Sequence, residues 1–195
     1  VSYGNLGYTH HSLQDYGLMR LFPNMTIASP GDDMEVRACM RYIVKNPQPS
    51  YLRLAKTKNK ILHKKIPSVK PGKWLPILIK HPKSKKIFLT TGNIAGLAKD
   101  LLIRGKYNKF SLYSLPIWGM KFKNIQLNQL KKWDEVLVLE DHLEDGGFGS
   151  WIKESTNNRK IKTKIISKSI DKKIISKVGS EQYLLDKYYL KFFGK

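Results

Sequence analysis

Gly7-Tyr8-Thr9-His10-His11-Ser12-Leu13-Gln14-Asp15, continued by Leu18-Met19-Arg20-Leu21-Phe22-Pro23-Asn24-Met25, joins a Gly-led turn, a Thr-His-His tip and a segment of mixed polar and apolar residues that stops at Pro-Asn. Ser12 reads as an N-cap, and Asp15 stands three residues on in the capping-box position, where Glu is preferred. The expected helix runs over 12–22, with Pro23 as its stop. Two adjacent histidines at a loop-to-helix junction cannot both face the same way. A metal site would need a third and fourth ligand, and His63, His81 and His142 lack the spacing of such a set, so no metal is expected. The plain structural alternative is a pair of solvated loop histidines beside the helix start.

Outward from that stretch, Met25–Ala28 reads as a short buried strand and Ser29-Pro30-Gly31-Asp32 as a turn. A helix is expected over 32–45, with Met34, Ala38, Cys39 and Tyr42-Ile43 at 3.6-residue spacing. Asn46-Pro47-Gln48-Pro49 breaks it, and 50–54 reads as another strand. Strand, helix, strand in that order implies a parallel α/β sheet. Residues 56–73 are polar, lysine-rich and interrupted by Pro67 and Pro71-Gly72, the composition of a linker. Trp74–Lys80 is an edge-strand candidate.

A second alternation follows: strand 86–91, helix 94–103, strand 110–115 cut by Pro116, helix 125–133, strand 135–140, a helix opened by Gly146-Gly147-Phe148-Gly149-Ser150, strand 162–167 and a C-terminal helix over 184–193. The fold class expected is α/β, in two three-layer units with mostly parallel sheets, the first unit truncated. The division expected is 1–57, a linker or crossing segment at 58–80, and 81–195.

The 195 residues carry a net charge of +21. A balance so basic is the electrostatic footprint of a nucleic-acid or anionic-membrane partner. Almost all of it is lysine, however, with arginine only at 20, 37, 41, 53, 104 and 159. Phosphate clamps and base readers favour the bidentate fork of arginine. The lysines are scattered, without interleaved aromatics, as a compositional bias would leave them. Nucleic acid is therefore expected to bind only non-specifically, at low salt. No apolar run approaches the ~20 residues that span a bilayer, and no membrane partner is expected. The first residues lack the basic and apolar regions of a signal peptide. The single Cys39 excludes an intrachain disulfide and favours a cytoplasmic setting.

The Gly7-x-Thr9-His10 tip with its helix ending in Pro-Asn-Met resembles the substrate-channel segment of the transketolase family, in the domain that holds the aminopyrimidine ring of thiamine diphosphate. Ser29-Pro30-Gly31-Asp32-Asp33-Met34-Glu35 resembles the Ser-Pro-x-Asp-x-x-Glu turn of the same domain, and Pro49-Ser50-Tyr51-Leu52-Arg53-Leu54 its last strand. Thr90-Thr91-Gly92-Asn93 and Val138-Leu139-Glu140-Asp141-His142 with Gly146-Gly147-Phe148-Gly149-Ser150 resemble motifs of the family's C-terminal domain. The resemblance covers most of residues 2–155, and Val178-Gly179-Ser180 with 184–188 extends it faintly.

The resemblance implies a partial pyrimidine-binding domain at 1–57 and a transketolase C-terminal domain at 81–195. It places His10 beside the thiazolium end of the cofactor, where a near-neutral imidazole can donate a hydrogen bond to, or exchange a proton with, a substrate oxygen. His11 is expected to be a surface or supporting residue. Lys56 falls at the family's phosphate-contacting basic position, with Arg53 the nearby alternative and a merely solvated lysine the structural one. The Gly146–Ser150 turn implies either an exposed helix N-terminus able to hold an anion or only a tight strand-to-helix crossing. Glu140, Asp141 and His142 are expected to fix a loop or interface rather than to form an acid/base cluster.

Leu6 stands where the family often has an acidic residue, which puts recognition of a sugar hydroxyl there in doubt. The glutamate that protonates the aminopyrimidine, and the Gly-Asp-Gly motif that holds magnesium and diphosphate, do not occur in this sequence. The implied function is that of a C-terminal fragment or subunit of a transketolase-like enzyme, moving a two-carbon ketol unit between sugar phosphates and inactive alone. Thiamine diphosphate and Mg2+ belong to the complete enzyme. The partner is a second copy or an N-terminal transketolase subunit. Alternatives are a deoxyxylulose-phosphate synthase, a 2-oxo-acid dehydrogenase β subunit and, in another class, a basic non-catalytic module that binds nucleic acid or acts as a scaffold.

Overall fold

In the computed structural model, residues 1–56, 60–105, 107–157, 159–189 and 193 are described. The chain opens with two 3-10 turns, Gly4–Leu6 and Tyr8–His10, and then α1 (Asp15–Arg20). This helix is shorter than expected and Ser12 does not cap it. Ser12 lies in the left-handed region at φ 44, and its carbonyl accepts from Arg53 Nη2 at 2.9 Å. Helix α1 starts at Asp15 behind Gln14, which gives no side-chain cap. Asp15 closes no capping box; it faces Arg53 instead.

β1 (Thr26–Ala28) and β2 (Ser50–Leu52) pair in parallel across α2 (Asp33–Lys45). α2 begins where the sequence places it, with Asp32 Oδ1 accepting from Glu35 N at 2.8 Å, a cap of a kind worth about 1 kcal/mol. The other oxygen, Oδ2, accepts from Leu62 N at 2.8 Å and His63 N at 2.9 Å. One buried carboxylate thereby starts the helix and anchors the lysine-rich segment that follows the first unit. The expected boundary at 57/58 lies outside the described residues.

β3 (Leu75–Leu78), β4 (Lys86–Thr90), β5 (Ser111–Ser114), β7 (Glu135–Leu139) and β8 (Lys164–Lys168) form a second sheet in the order β3-β5-β4-β7-β8. All its pairs are parallel except β3, which lies antiparallel on the edge. α3 (Ile94–Ile103) takes the bounds expected from sequence, while α4 (Gln126–Leu130) is shorter. α5 (Phe148–Glu154) and α6 (Glu181–Tyr188) complete the helices. The expected extension of the last helix to 193 runs through 190–192, outside the described residues. β6 (Ile117–Trp118) has no counterpart in the expectations. It leaves the second unit just after Pro116 and pairs antiparallel with β1, making the first sheet β2-β1-β6. The architecture is thus α/β with two mixed, mostly parallel sheets.

Alternation along the central strands explains the core. Phe88, Leu137 and Leu139 face one cluster with Leu102, Leu112 and Leu184; Ile87, Leu89, Val136 and Val138 face another. Side chains alternate across a pleated strand, and a sheet covered on both faces reads as an unbroken apolar run. The second cluster also contains Tyr16 and Ile27 from the first unit. Its centre is Trp118, whose ring lies 5.2 Å from Tyr16, 5.2 Å from Phe148 and 5.1 Å from Trp151. Aromatic pairs in such arrangements contribute about 0.5–1.5 kcal/mol each beyond area burial. The two sheets therefore pack against one shared interior.

Candidate functional site

The carboxyl ends of two parallel strand pairs, β1 with β2 and β4 with β7, come to one cleft. Ser29 follows β1, Arg53 follows β2, Gly92-Asn93 follow β4 and Asp141 follows β7, and all of them line a cleft of about 470 Å3. Ligands of open α/β sheets bind beyond the carboxyl ends of the strands. The 3-10 turns bring Thr9 and His10 to the same cleft, together with Tyr3 and Tyr51.

His10 is exposed. Its Nδ1 lies 2.9 Å from Thr9 Oγ1, so the hydroxyl next to it in sequence orients the ring. Among the described residues no hydrogen bond is made to His10 Nε2. His11 turns the other way: it is 2 % exposed, and its Nε2 lies 3.2 Å from Lys177 O. Burial lowers its pKa, which keeps the ring neutral and donating to that carbonyl. His11 is thus an interior pin between the tip and residue 177, not a surface residue, and the pair is not a solvated one.

Arg53 is held on every side. Nε lies 2.7 Å from Asp15 Oδ2. Nη1 donates to Tyr16 Oη at 3.2 Å and to Asp141 Oδ1; Nη2 donates to Ser12 O at 2.9 Å and Asp141 O at 3.3 Å. A guanidinium has five N–H donors, and all five are placed within the protein. The guanidinium carbon also sits 4.5 Å above the Tyr16 ring. Burial opposes the charge, but Asp141, Tyr16 and Asp15 outweigh it and keep the group protonated well above its ordinary range. Arg53 lines the cleft and has no donor left for a ligand phosphate.

Tyr51 Oη donates to Asp15 Oδ2 at 2.8 Å, which leaves Asp15 Oδ1 without a hydrogen-bond partner. His142 stacks on Tyr16 at 5.0 Å, with Nδ1 2.7 Å from Leu143 O. Its Nε2 faces Asp15 Oδ1 at 3.8 Å, too far for a hydrogen bond. Burial lowers the His142 pKa.

Glu140 answers the question of the glycine turn. Its two oxygens accept from Phe148 N at 2.5 Å and Gly149 N at 2.9 Å. The N-terminus of α5 is therefore occupied by the chain's own carboxylate and presents no place for a ligand anion. Complete burial pushes the Glu140 pKa up to about 8, against the opposite pull of the Gly149 and Phe148 amides. A Cβ at Gly149 would lie 2.8 Å from Glu140 Oε1 and overlap Ser167 Oγ; one at Gly147 would lie 2.6 Å from Leu143 O and overlap Glu140 Oε2. The glycines let a buried carboxylate approach the helix. Arg20 adds a second tie between the units, donating to Gly147 O at 3.2 Å and Ser150 Oγ at 2.9 Å and pairing with Glu154.

Lys56 is not in the His10 cleft. It lines an adjoining recess of about 290 Å3 with Leu6, Asn5 and Glu181, and Tyr3 is common to both spaces. Among the residues expected from sequence, the structure brings His10 and Arg53 to one cleft and puts Lys56 next door. Asp141, expected to fix a loop or interface, completes the Arg53 cluster together with Tyr51; the residues missed are Tyr51 and Tyr3. A charge inside Leu52-Arg53-Leu54 was the available signal, since a buried cation needs carboxylates, but nothing local names them. Among the described residues no group of three or more His, Cys, Asp or Glu could hold a metal ion, and no helix is long and apolar enough to cross a membrane.

Residues 1–60 match the family described as transketolase, pyrimidine binding domain. The B-type subunit of apulose-4-phosphate transketolase from Actinobacillus succinogenes is 29% identical over 156 residues, 79% of this chain and 49% of that protein. Its namesake from Phocaeicola vulgatus is 43% identical over 56 residues, 29% of this chain and 18% of that protein. The 1-deoxy-D-xylulose-5-phosphate synthase of Clostridium acetobutylicum is 27% identical over 170 residues, 84% of this chain and 27% of that protein. The chain thus spans half or less of the length of these relatives. Among solved structures, one titled a split gene transketolase, inactive beta4 tetramer, superimposes with a TM-score of 0.71 at 20% identity, over 90% of this chain and 56% of that one. Transketolase from Leishmania mexicana gives 0.69 at 15% identity, over 97% and 27%. Both establish likeness of fold.

Proposed function

Since this chain belongs to the transketolase family, as a pyrimidine-binding portion followed by the C-terminal region, we propose that it serves as the B-type subunit of a split enzyme that moves a two-carbon ketol unit between sugar phosphates. The observation that carries this reading is an exposed His10 lining the strand-end cleft, with Thr9 Oγ1 on its Nδ1. An imidazole so placed donates a hydrogen bond to a substrate oxygen as negative charge develops on it, or accepts its proton. Lys56 supplies the phosphate contact, as a point charge rather than a fork. Arg53, the alternative to Lys56 for that contact, has its donors engaged within the protein and in this reading shapes the cleft from within.

Members of the family use thiamine diphosphate. The described residues do not fit that group by themselves. The one buried glutamate with a strongly raised pKa is bound to the start of α5, the Arg53 donors are all engaged, and no metal-holding cluster is present among the described residues. The cofactor and its Mg2+ accordingly fall to the partner polypeptide, an A-type subunit carrying the diphosphate-binding domain. A cytoplasmic setting accords with the single, buried Cys39.

The test is co-expression with the candidate A-type subunit and an assay of ketol transfer between sugar phosphates. The pair is expected to be active, the chain alone inactive, and His10→Gln in the pair to lose about 100-fold or more. Turnover by the isolated chain, or a fully active His10→Gln pair, overturns the reading. A second reading is favoured by the 27% identity to a deoxyxylulose-phosphate synthase over 84% of this chain. Release of CO2 from pyruvate by the assembled pair, without use of a ketose donor, would select it.

A further inference from the structure

The tip that carries His10 is tied at both ends to one short stretch of the C-terminal region. Gly4 O accepts from Gly179 N at 3.1 Å, and His11 Nε2 lies 3.2 Å from Lys177 O. Between those ends the backbone closes on itself, with Gly7 N donating to Gly4 O at 3.1 Å and His10 N to Gly7 O at 3.0 Å. The fit to the C-terminal stretch is close. A Cβ at Gly4 would overlap Gly179 O and lie 2.6 Å from Leu184 Cδ1, and one at Gly7 would lie 3.1 Å from Val178 Cγ2. The stretch is itself anchored. It leaves the 3-10 turn Lys172–Ser176, with Lys177 N donating to Ile174 O at 2.9 Å and Ile170 N to His142 O at 2.9 Å. Ile170 and Ile174 are buried in the cluster that also holds Leu13 and Leu184.

His11 borders the cleft, but neither of its ring nitrogens is open to a ligand. A carbonyl only accepts, so Nε2 carries the proton and Nδ1 keeps a lone pair. Nδ1 is buried and has no hydrogen-bond partner among the described residues. The His10 ring, by contrast, hydrogen-bonds only its neighbour Thr9 among the described residues, so its place is that of the tip as a whole. We propose that His11 is the positioning residue for His10: by donating to the Lys177 carbonyl it makes the C-terminal region, and not the pyrimidine-binding portion alone, set where the His10 ring stands in the cleft. The inference rests on the functional reading above and deepens it. Ser12 O and Leu13 O, the next acceptors along the chain, are held by Arg53 and by Leu143 N. Those ties fix the exit of the tip whatever stands at position 11, and the His11 bond fixes the tip itself.

The experiment is steady-state ketol transfer by the chain paired with the A-type subunit, for His11→Leu, His11→Gln and Gly4→Ala, with the His10 ring followed by NMR in the full chain alone. His11→Leu cannot donate, and it is expected to lower kcat about tenfold with the KM of the ketose donor unchanged; a misplacement of about 1 Å costs on the order of 100-fold. His11→Gln, whose amide can donate to the same carbonyl, recovers most of that loss. Gly4→Ala pushes the tip off Gly179 from its other end and lowers kcat in the same way, so it carries the test should His11→Leu fail to fold. In a His10→Gln background none of the three lowers kcat further. In the chain alone, His11→Leu shifts the His10 ring signals and His11→Gln restores them. A His11→Leu pair with full kcat, a His11→Gln no better than His11→Leu, a further fall in the His10→Gln background, or unmoved His10 signals would each overturn the proposal. A fully active His10→Gln pair would mark the failure of the functional reading instead, and the NMR outcome for the tip is read without any partner.

Discussion

Arg53 and Lys56 leave the end of the same strand three residues apart and finish in opposite surroundings. Arg53 turns into the junction of the two sheets, where Asp15, Asp141, Tyr16 and Ser12 take all five of its donors. Lys56 turns out to a recess, where it meets one aromatic face. The two regions show how a charge is divided between fold and function. A buried cation must be fully matched or the desolvation cost is uncompensated, and once matched it has nothing to offer a ligand. A charge at the mouth stays hydrated, adds little to stability and remains free to bind.

Replacement of Arg53 gives the sharpest test of this contrast. Arg53→Leu leaves Asp15 and Asp141 buried without their cation, a change expected to cost about 3–5 kcal/mol, read as a fall in the urea midpoint. Adding Asp141→Asn should recover part of that loss, because the two changes act on one cluster. If Arg53→Leu were as harmless as a change at Lys56, the contrast would be void.

Next in size is the α5 start. Gly149→Ala forces a methyl group against Ser167 and the Glu140 carboxylate, and overpacking of this kind costs about 1–3 kcal/mol. The same carboxylate makes a pH prediction. Its pKa in the folded protein is raised to about 8, above the ordinary value near 4.3. The folded state therefore binds the proton more tightly, and the stability this contributes is present in full below the ordinary value and is lost as pH rises through about 8. Glu140→Gln should flatten the decline between pH 5 and 8 in denaturant melts. An unchanged slope would show that Glu140 is not its source.

A smaller effect belongs to the rim of the Arg53 cluster. Tyr51→Phe removes the donor to Asp15 Oδ2 but leaves the ion pair to Arg53 Nε, with an expected cost of about 1–2 kcal/mol. The smallest is at the mouth, where His10→Gln should shift stability by no more than about 0.5 kcal/mol while it abolishes most activity of the assembled pair. A destabilisation by His10→Gln as large as that of Tyr51→Phe would place His10 with the scaffold.

Much of this was readable from local pattern. The bounds of α3 and the capping of α2 by Asp32 follow from periodicity and from a side chain reaching three residues ahead. Those effects act over one turn and need no knowledge of the rest of the chain. The exposed His10 tip was legible because a turn, a polar tip and a helix start are neighbours in sequence. Ser12 was misread as a cap for the complementary reason. Its carbonyl accepts from Arg53, 41 residues away, and its backbone lies at φ 44, outside the extended region usual for an N-cap. The burial of His11 depends on Lys177 in the same way.

By itself the sequence determined the alternation of strands and helices, and with it a set of strand ends on which polar residues gather. Period and punctuation are enough for that, because backbone hydrogen bonding and side-chain alternation are local. Tertiary structure alone decided which distant groups meet: Arg53 with Asp141, 88 residues apart, Glu140 at the start of a helix that it precedes, β6 added to a sheet begun far earlier in the chain, and Lys56 over the Tyr3 ring. Each of those pairings is a matter of distance in space, and for Arg53 and Asp141 the reason is that a buried charge survives only beside its opposite.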